Sequence, residues 1–117
     1  MKRPLAYITA NWSGDDYQDS KLAAGYCRQL YKAGFSPICP VLYMPYFLNK
    51  EVPEDHKNGA DMSRDLLRRS RMLVVCGAKV SEDMKSDIAT AARLGIMATT
   101  LEGILTVQGQ GRTKTRV

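Results

Sequence analysis

Apolar residues fall along this chain in two alternating rhythms. Leu5-Ala-Tyr-Ile-Thr-Ala10 is a short, mostly apolar run of strand length. The polar stretch Asn11 to Asp19, with Gly14 inside it, reads as a loop. From near Ser20 to Lys32, the positions Leu22, Ala23, Tyr26, Cys27, Leu30 and Tyr31 recur at helical spacing and predict a first helix. Ala33-Gly34 closes it, with glycine in its usual place past a helix end. Phe35 to Leu42 predicts a second strand. Pro37 and Pro40 make that strand short or place it at an edge, because proline cannot donate to a ladder.

Tyr43 to Asn58 shows no periodicity and reads as a long loop rich in proline and aromatic residues, a type of segment that is usually functional or mobile. Gly59 to Ser70 predicts a second helix. Met72 to Gly77 is the clearest strand, and its continuous apolar run implies burial on both faces, as in a parallel sheet. Ser81 to about Leu94 predicts a third helix, with Ser81 as N-cap, Glu82 and Asp83 at the positive end of the dipole, and Gly95 as its stop. Ile96 to Leu101 reads as a fourth strand and Ile104 to Val107 as a further short one. Alternating strands and helices with short joins imply right-handed βαβ units. The predicted fold is an α/β three-layer sandwich around a small, mostly parallel sheet of roughly four to five strands in flavodoxin-like or Rossmann-like order. The domain is expected over residues 1–108, followed by a loose basic tail over 109–117.

Length and composition add bounds to this picture. The 117 residues suffice for one core, and 44% hydrophobic with 25% charged residues is ordinary for a globular chain. No apolar run approaches the ~20 residues that span a bilayer, so no membrane association is expected. Met1-Lys-Arg-Pro4 lacks the apolar core of a signal peptide behind it, which predicts a cytoplasmic protein. The three cysteines, Cys27, Cys39 and Cys76, form no C-x-x-C pair and read as small buried hydrophobes. His56 is the only histidine, on the predicted loop beside Asp55, so neither a metal nor another cofactor is expected.

The charge balance is +5, from 17 basic and 12 acidic residues. Arg112, Lys114 and Arg116 lie in the tail, and Arg64, Arg68, Arg69 and Arg71 form a second cluster. Such a balance favours phosphate-bearing partners without separating a nucleotide from a nucleic acid. The tail offers nucleic acid a charged surface, but it lacks the interleaved aromatics of specific readout.

Four groups of residues carry candidate chemistry. In open α/β sheets ligands sit outside the carboxyl ends of the strands, which directs attention to the turns after the first and third strands. After the first, Trp12-Ser-Gly14 offers a hydroxyl and open backbone N–H groups to a phosphate, or forms an ordinary turn in which Asp15 and Asp16 start the next helix. No P-loop and no G-x-G-x-x-G fingerprint is present. Tyr43, Tyr46 and Phe47 either stack on a nucleobase or staple the loop to the core. On the third helix, Met84, Ile88 and Ala91 lie on one face, with Asp87 at its margin one turn beyond Asp83. A carboxylate so placed is either partly desolvated, with a raised pKa, or a solvated charge paired with Arg93 or Lys85. Asp61 and Asp65 on the second helix offer a second carboxylate, or surface pairs with Arg64, Arg68 or Arg69.

Taken in order, these segments resemble a known pattern. Tyr-Ile followed by a Ser-Gly loop leads to Tyr-Cys-Arg-x-Leu and a glycine, then to Pro-Ile-x-Pro-x-Leu-Tyr-x-Pro and Asp-Leu-Leu. Leu-Val-Val-x-Gly then precedes Ser-x-x-Met-x-x-Asp-Ile-x-x-Ala-x-x-Leu-Gly-Ile. The order resembles the nucleoside 2-deoxyribosyltransferase-like superfamily, in particular its small bacterial and phage members, over roughly Pro4 to Leu101. The resemblance implies a reaction at the N-glycosidic bond of a nucleoside or nucleotide, by hydrolysis or deoxyribosyl transfer through a covalent intermediate. It implies Asp87 as nucleophile and Asp65 as the second acidic residue. Ser13 and Gly14, with Trp12 beside them, would hold the sugar or its phosphate; Tyr43 would lie at the pocket edge, and Gly77 and Asp83 would line the site. It also implies self-association into a homo-oligomer.

Two departures stand out. Asp87 replaces a glutamate, which is one methylene longer, and a shortfall of ~1 Å can cost ~100-fold in rate. Asp83 replaces a glycine and puts a negative side chain where open backbone would meet an anion. Impaired catalysis is therefore expected. A non-catalytic nucleotide-binding module, or a mobile-element interaction protein using its basic surface, remains the alternative.

Overall fold

The computed structural model describes residues 3–13 and 15–107. Gly14 and the basic tail over 109–117 lie outside the described residues. Strand β1 (Leu5–Ala10) leads through a short loop into helix α1 (Asp16–Lys32), which returns to β2 (Ser36–Ile38). Two 3-10 turns (Pro40–Leu42 and Met44–Tyr46) precede α2 (Pro53–Arg68). Strand β3 (Met72–Cys76), helix α3 (Glu82–Arg93) and strand β4 (Met97–Thr100) follow. A fourth helix, α4, occupies 101–107, up to the last described residue.

The strands form one sheet of four in the order β2-β1-β3-β4, and every pairing is parallel. This is the expected α/β sandwich. Right-handed crossovers send α1 over one face and α2 and α3 over the other, because the chain leaves β1 first toward β2 and then returns past it to β3. Strand alternation divides the core in two. Ala6 and Ile8 of β1, with Met72, Val74 and Cys76 of β3, pack beneath Ala23 and Leu30 of α1 and Leu101 of α4. Tyr7 and Leu73 point the other way, onto Leu67 of α2 and Ala91 of α3. Thr9 shares the side of Tyr7, since it is two residues further along the same strand.

Helix starts follow their capping chemistry. Asp15 caps α1 by accepting from the Gln18 N–H at 3.2 Å, so the helix begins earlier than its apolar periodicity suggests. Ser81 caps α3 as expected, accepting from the Met84 N–H at 3.3 Å. The predicted long loop over Tyr43 to Asn58 is corrected. Its second half is helical, because Pro53 sits in the first turn of α2 with Glu54 and Asp55 at the positive end of the dipole. His56 therefore lies on α2 and not on a loop. The expected strand over Ile104 to Val107 is also corrected: these residues are helical. Leu101 and Ile104, three apart, both pack on the α1-side core, which a strand could not arrange. Strand β2 is three residues long and forms one edge, as its prolines imply. No helix among the described residues is long and apolar enough to cross a membrane.

Candidate functional site at the carboxyl edge of the sheet

Strand order reverses at β1, since α1 leaves it toward β2 while α3 leaves β3 in the opposite direction. The loops after β1 and β3 therefore diverge and leave a crevice between them, the usual ligand position in such sheets. The chain opens a cavity of about 270 Å³ there. Asn11 and Ser13 line it from the β1 loop, Gln18 and Tyr26 from α1, and Gly77 and Lys79 from the β3 loop.

The loop after β1 is held by a carboxylate beneath it. Asp19 of α1 is 5% exposed and accepts from the Ser13 N–H at 2.9 Å and from the Ser13 hydroxyl at 2.8 Å. Ser13 thus turns inward to its own helix, and its hydroxyl has a partner before any ligand arrives. Asp19→Ala strands a backbone N–H and is expected to lower stability by ~1–3 kcal/mol. Urea denaturation of the two proteins measures this, and an unchanged midpoint would show that the loop holds without the carboxylate.

Gly77 closes β3 with φ +90°, a backbone conformation that side chains rarely adopt. A Cβ there would also meet the Tyr26 hydroxyl at 3.1 Å. Lys79, two residues on, lines the cavity and forms no ion pair among the described residues.

A second group lies on the opposite face of the same edge. Thr9 and Ala10 are neighbours in β1, so their side chains face opposite sides. Thr9 is buried, and its hydroxyl donates to Asp87 Oδ2 at 2.7 Å. Asp87 is half-buried. Burial pushes its carboxyl above the usual carboxylate range, the Thr9 hydrogen bond opposes that shift, and the nearby charge of Asp83 adds to it.

Tyr7 lies beneath this group. Burial, then the charge of Asp87, pushes its hydroxyl up to about 12, and the side chain of Ser63 of α2 opposes that shift. Tyr43 lies close enough to add to that shift. Its ring is 45% exposed and stacks on Phe47, with centroids 6.3 Å apart.

Pro4 to Leu101 match the profile of a family described as Domain of unknown function (DUF7768). The chain belongs to the DUF7768 family. Curated proteins offer no match to it. In this DUF7768 domain the matched segment contains all four sheet strands, both residue groups at the carboxyl edge and the helices that carry them.

The residues singled out from sequence divide between the two groups. Ser13 and Gly77 line the switch-point cavity, whereas Asp87, Asp83 and Tyr43 are absent from its lining. Asp87 and Tyr43 instead both bear on the ionisation of Tyr7. Trp12 is half-buried and packs on the α1-side core. Asp65 is engaged on its own helix, 3.6 Å from Arg68 and 3.1 Å from Arg69, and Arg64 pairs with Asp61 at 3.3 Å. Those pairs also neutralise much of the arginine cluster on α2. Gly14 lies outside the described residues.

Asn11, Gln18, Asp19, Tyr26 and Lys79 at the cavity, and Tyr7, Thr9 and Ser63 in the second group, are site residues that the sequence did not mark. The one available signal was Thr9, a polar residue near the end of a buried strand. Among the described residues no cluster of three or more histidine, cysteine or acidic side chains could hold a metal ion.

Proposed function

We propose that this domain acts at the N-glycosidic bond of a nucleoside or nucleotide, with Asp87 as the nucleophile. The observation that carries the reading is the Thr9–Asp87 hydrogen bond of 2.7 Å, which fixes a half-buried carboxylate at the carboxyl end of the strand where the sheet order reverses. Fixing a nucleophile beforehand removes orientational freedom that would otherwise oppose attack. Tyr7 keeps its proton across the neutral range, so it places no second negative charge beside Asp87.

In this reading the sugar lies at the edge of β1, with any phosphate toward Ser13, Gly77 and Lys79 and the base toward Tyr43. One Asp87 oxygen bonds to the anomeric carbon as the bond from that carbon to the base nitrogen breaks. The nitrogen keeps the electron pair and takes a proton from water. Water, or a second base, then attacks the same carbon and frees the carboxylate, the double displacement of retaining glycosidases. Asp65 is given no part in proton transfer, because Arg68 and Arg69 already engage it.

A non-catalytic binding module is the second reading. The negative side chain of Asp83 one turn from Asp87 favours it, since it would repel an anionic ligand from the start of α3. Chromatographic detection of free base from a panel of nucleosides and their 5′-monophosphates separates the two. Base release supports the enzyme. Calorimetric binding of the same compounds without release supports the module, and neither result leaves no place for a nucleotide here.

A further inference from the structure

All-parallel sheets bury both faces of their strands, and β3 obeys this, with only Val75 short of full burial. Strand β4 does not. Met97, Ala98 and Thr100 are exposed, and Thr99 is half-buried. These residues lie on both faces, because strands in register share their alternation. Met97 and Thr99 pair with Met72 and Val74 on the α1 side, and Ala98 pairs with Leu73 on the α3 side. Met97 is a large apolar side chain at 59% exposure.

The outer margin of β4 is also an open hydrogen-bonding edge. β4 ends the sheet, so every second residue turns its N–H and C=O away from β3. Native edges are usually guarded by lysine, proline or a bulge. Met97-Ala-Thr-Thr100 has no charge and no proline, and it runs in unbroken register with β3. The opposite edge differs. In β2 the Ser36 N–H donates to the Pro4 carbonyl at 2.8 Å, toward β1. Pro37, next along, therefore faces outward, where it has no N–H to offer. One edge of the sheet is closed to a further strand and the other is open. We propose that β4 pairs antiparallel with β4 of a second copy of this chain, across a two-fold axis perpendicular to the sheet.

Handedness, charge and shape select a second copy as the occupant. Leu101 and Ile104 seat α4 on the α1 side of the sheet. A strand added beyond β4 after α4 would therefore need a left-handed crossover, which parallel sheets almost never use. Pairing across the two-fold axis sets residues of one face opposite each other. Ala98 or Thr99 then meets its own counterpart, and no like charges meet within the ladder. The axis also runs the two copies of α3 antiparallel beside the joined strands. Glu82 and Asp83 at the start of each α3 then lie toward Arg93 at the end of the other. Asp87 faces β1, and Ala92, five positions on, lies about 140° around the helix, on the flank toward the axis. Ala92 is exposed and small enough to let the copies approach. The joined sheet would end in β2 on both sides, so Pro37 stops the assembly at two copies.

Sedimentation velocity of the full chain, run from low to high micromolar concentration, tests this. The expected result is a species of two chains that dissociates on dilution. Ala98→Lys brings two cations together at the axis and is expected to weaken association ~10-fold or more. Tyr17→Lys, at an exposed ring on α1, leaves association unchanged. Hydrogen exchange on the wild-type chain reads the same edge without a substitution, and decides the matter should Ala98→Lys fail to fold. The outward amides of β4 are expected to exchange more slowly as concentration rises. A monomer at every concentration, a folded Ala98→Lys chain that associates as before, weakening by Tyr17→Lys instead, or β4 exchange that ignores concentration would overturn the proposal.

Discussion

Replacing Asp87 by asparagine removes base release, by about 10⁴-fold or more, and leaves the thermal midpoint at neutral pH unchanged or higher. The two halves of this expectation have separate causes. Asparagine has no ionised oxygen to attack the anomeric carbon. It does keep a carbonyl oxygen able to accept from the Thr9 hydroxyl, which now donates to Asp87 Oδ2 at 2.7 Å. The charge that is lost is one the fold disfavours, since burial raises the Asp87 pKa.

The pH dependence follows with a definite sign. A carboxyl whose folded pKa lies above its unfolded value of 3.8 binds its proton more tightly in the folded chain. Its stabilising contribution is complete below 3.8, declines as pH rises toward the folded pKa, and is absent above it. Asp87→Asn removes that decline, so the stability of the variant should fall less between acid and neutral pH. Activity runs in the opposite direction. The ionised form attacks, so the acid limb of kcat/KM should lie above the ordinary carboxylate range. Parallel urea titrations and pH–rate profiles measure both. A variant that loses stability as well as activity would make Asp87 a structural residue.

Leu73→Ala is expected to show the largest loss of stability, about 2–5 kcal/mol. Leu73 is fully buried in β3, in register with Tyr7 of β1 and Ala98 of β4. It packs with Tyr7, Leu67 and Ala91, the cluster that seats α2 and α3 on the sheet. Truncation leaves a cavity between the sheet and the two helices, whose close packing gives it little freedom to collapse. Domains of this kind have only ~5–15 kcal/mol to lose, so the urea midpoint should drop sharply at unchanged slope. A loss below ~1 kcal/mol would show that this face of the core is loosely packed. The two substitutions thus separate what holds α3 in place from what α3 does.

The parts of the fold that were legible are those where one local signal dominates. The continuous apolar run at Met72 to Cys76 and the cap at Ser81 identify β3 and α3 directly. The start of α2 was hidden because Pro53 to Asn58 carries almost no apolar residue, and its helix signal lies wholly in Pro53, Glu54 and Asp55. Ile104 to Val107 misled because a short apolar run reads equally as strand or helix.

The candidate site was legible in part. Asp87 stood out as an acid beside an apolar stripe, and its half-burial follows from that position. Its partner Thr9 is 78 residues away and could be assigned only once the crossovers fix which face of β1 meets α3. Asp65 illustrates the reverse. Its i+3 and i+4 arginines were visible in the sequence, and local pairing holds it on its own helix.

The most direct test of the central claim is a search for the covalent intermediate. A 2′-fluorinated nucleoside slows release of the sugar from the enzyme, so the folded chain can be incubated with it, digested and mapped by mass spectrometry. The account predicts a fluorosugar adduct on Asp87, absent from Asp87→Asn. Base release with the adduct on another residue would contradict it, as would turnover without any adduct.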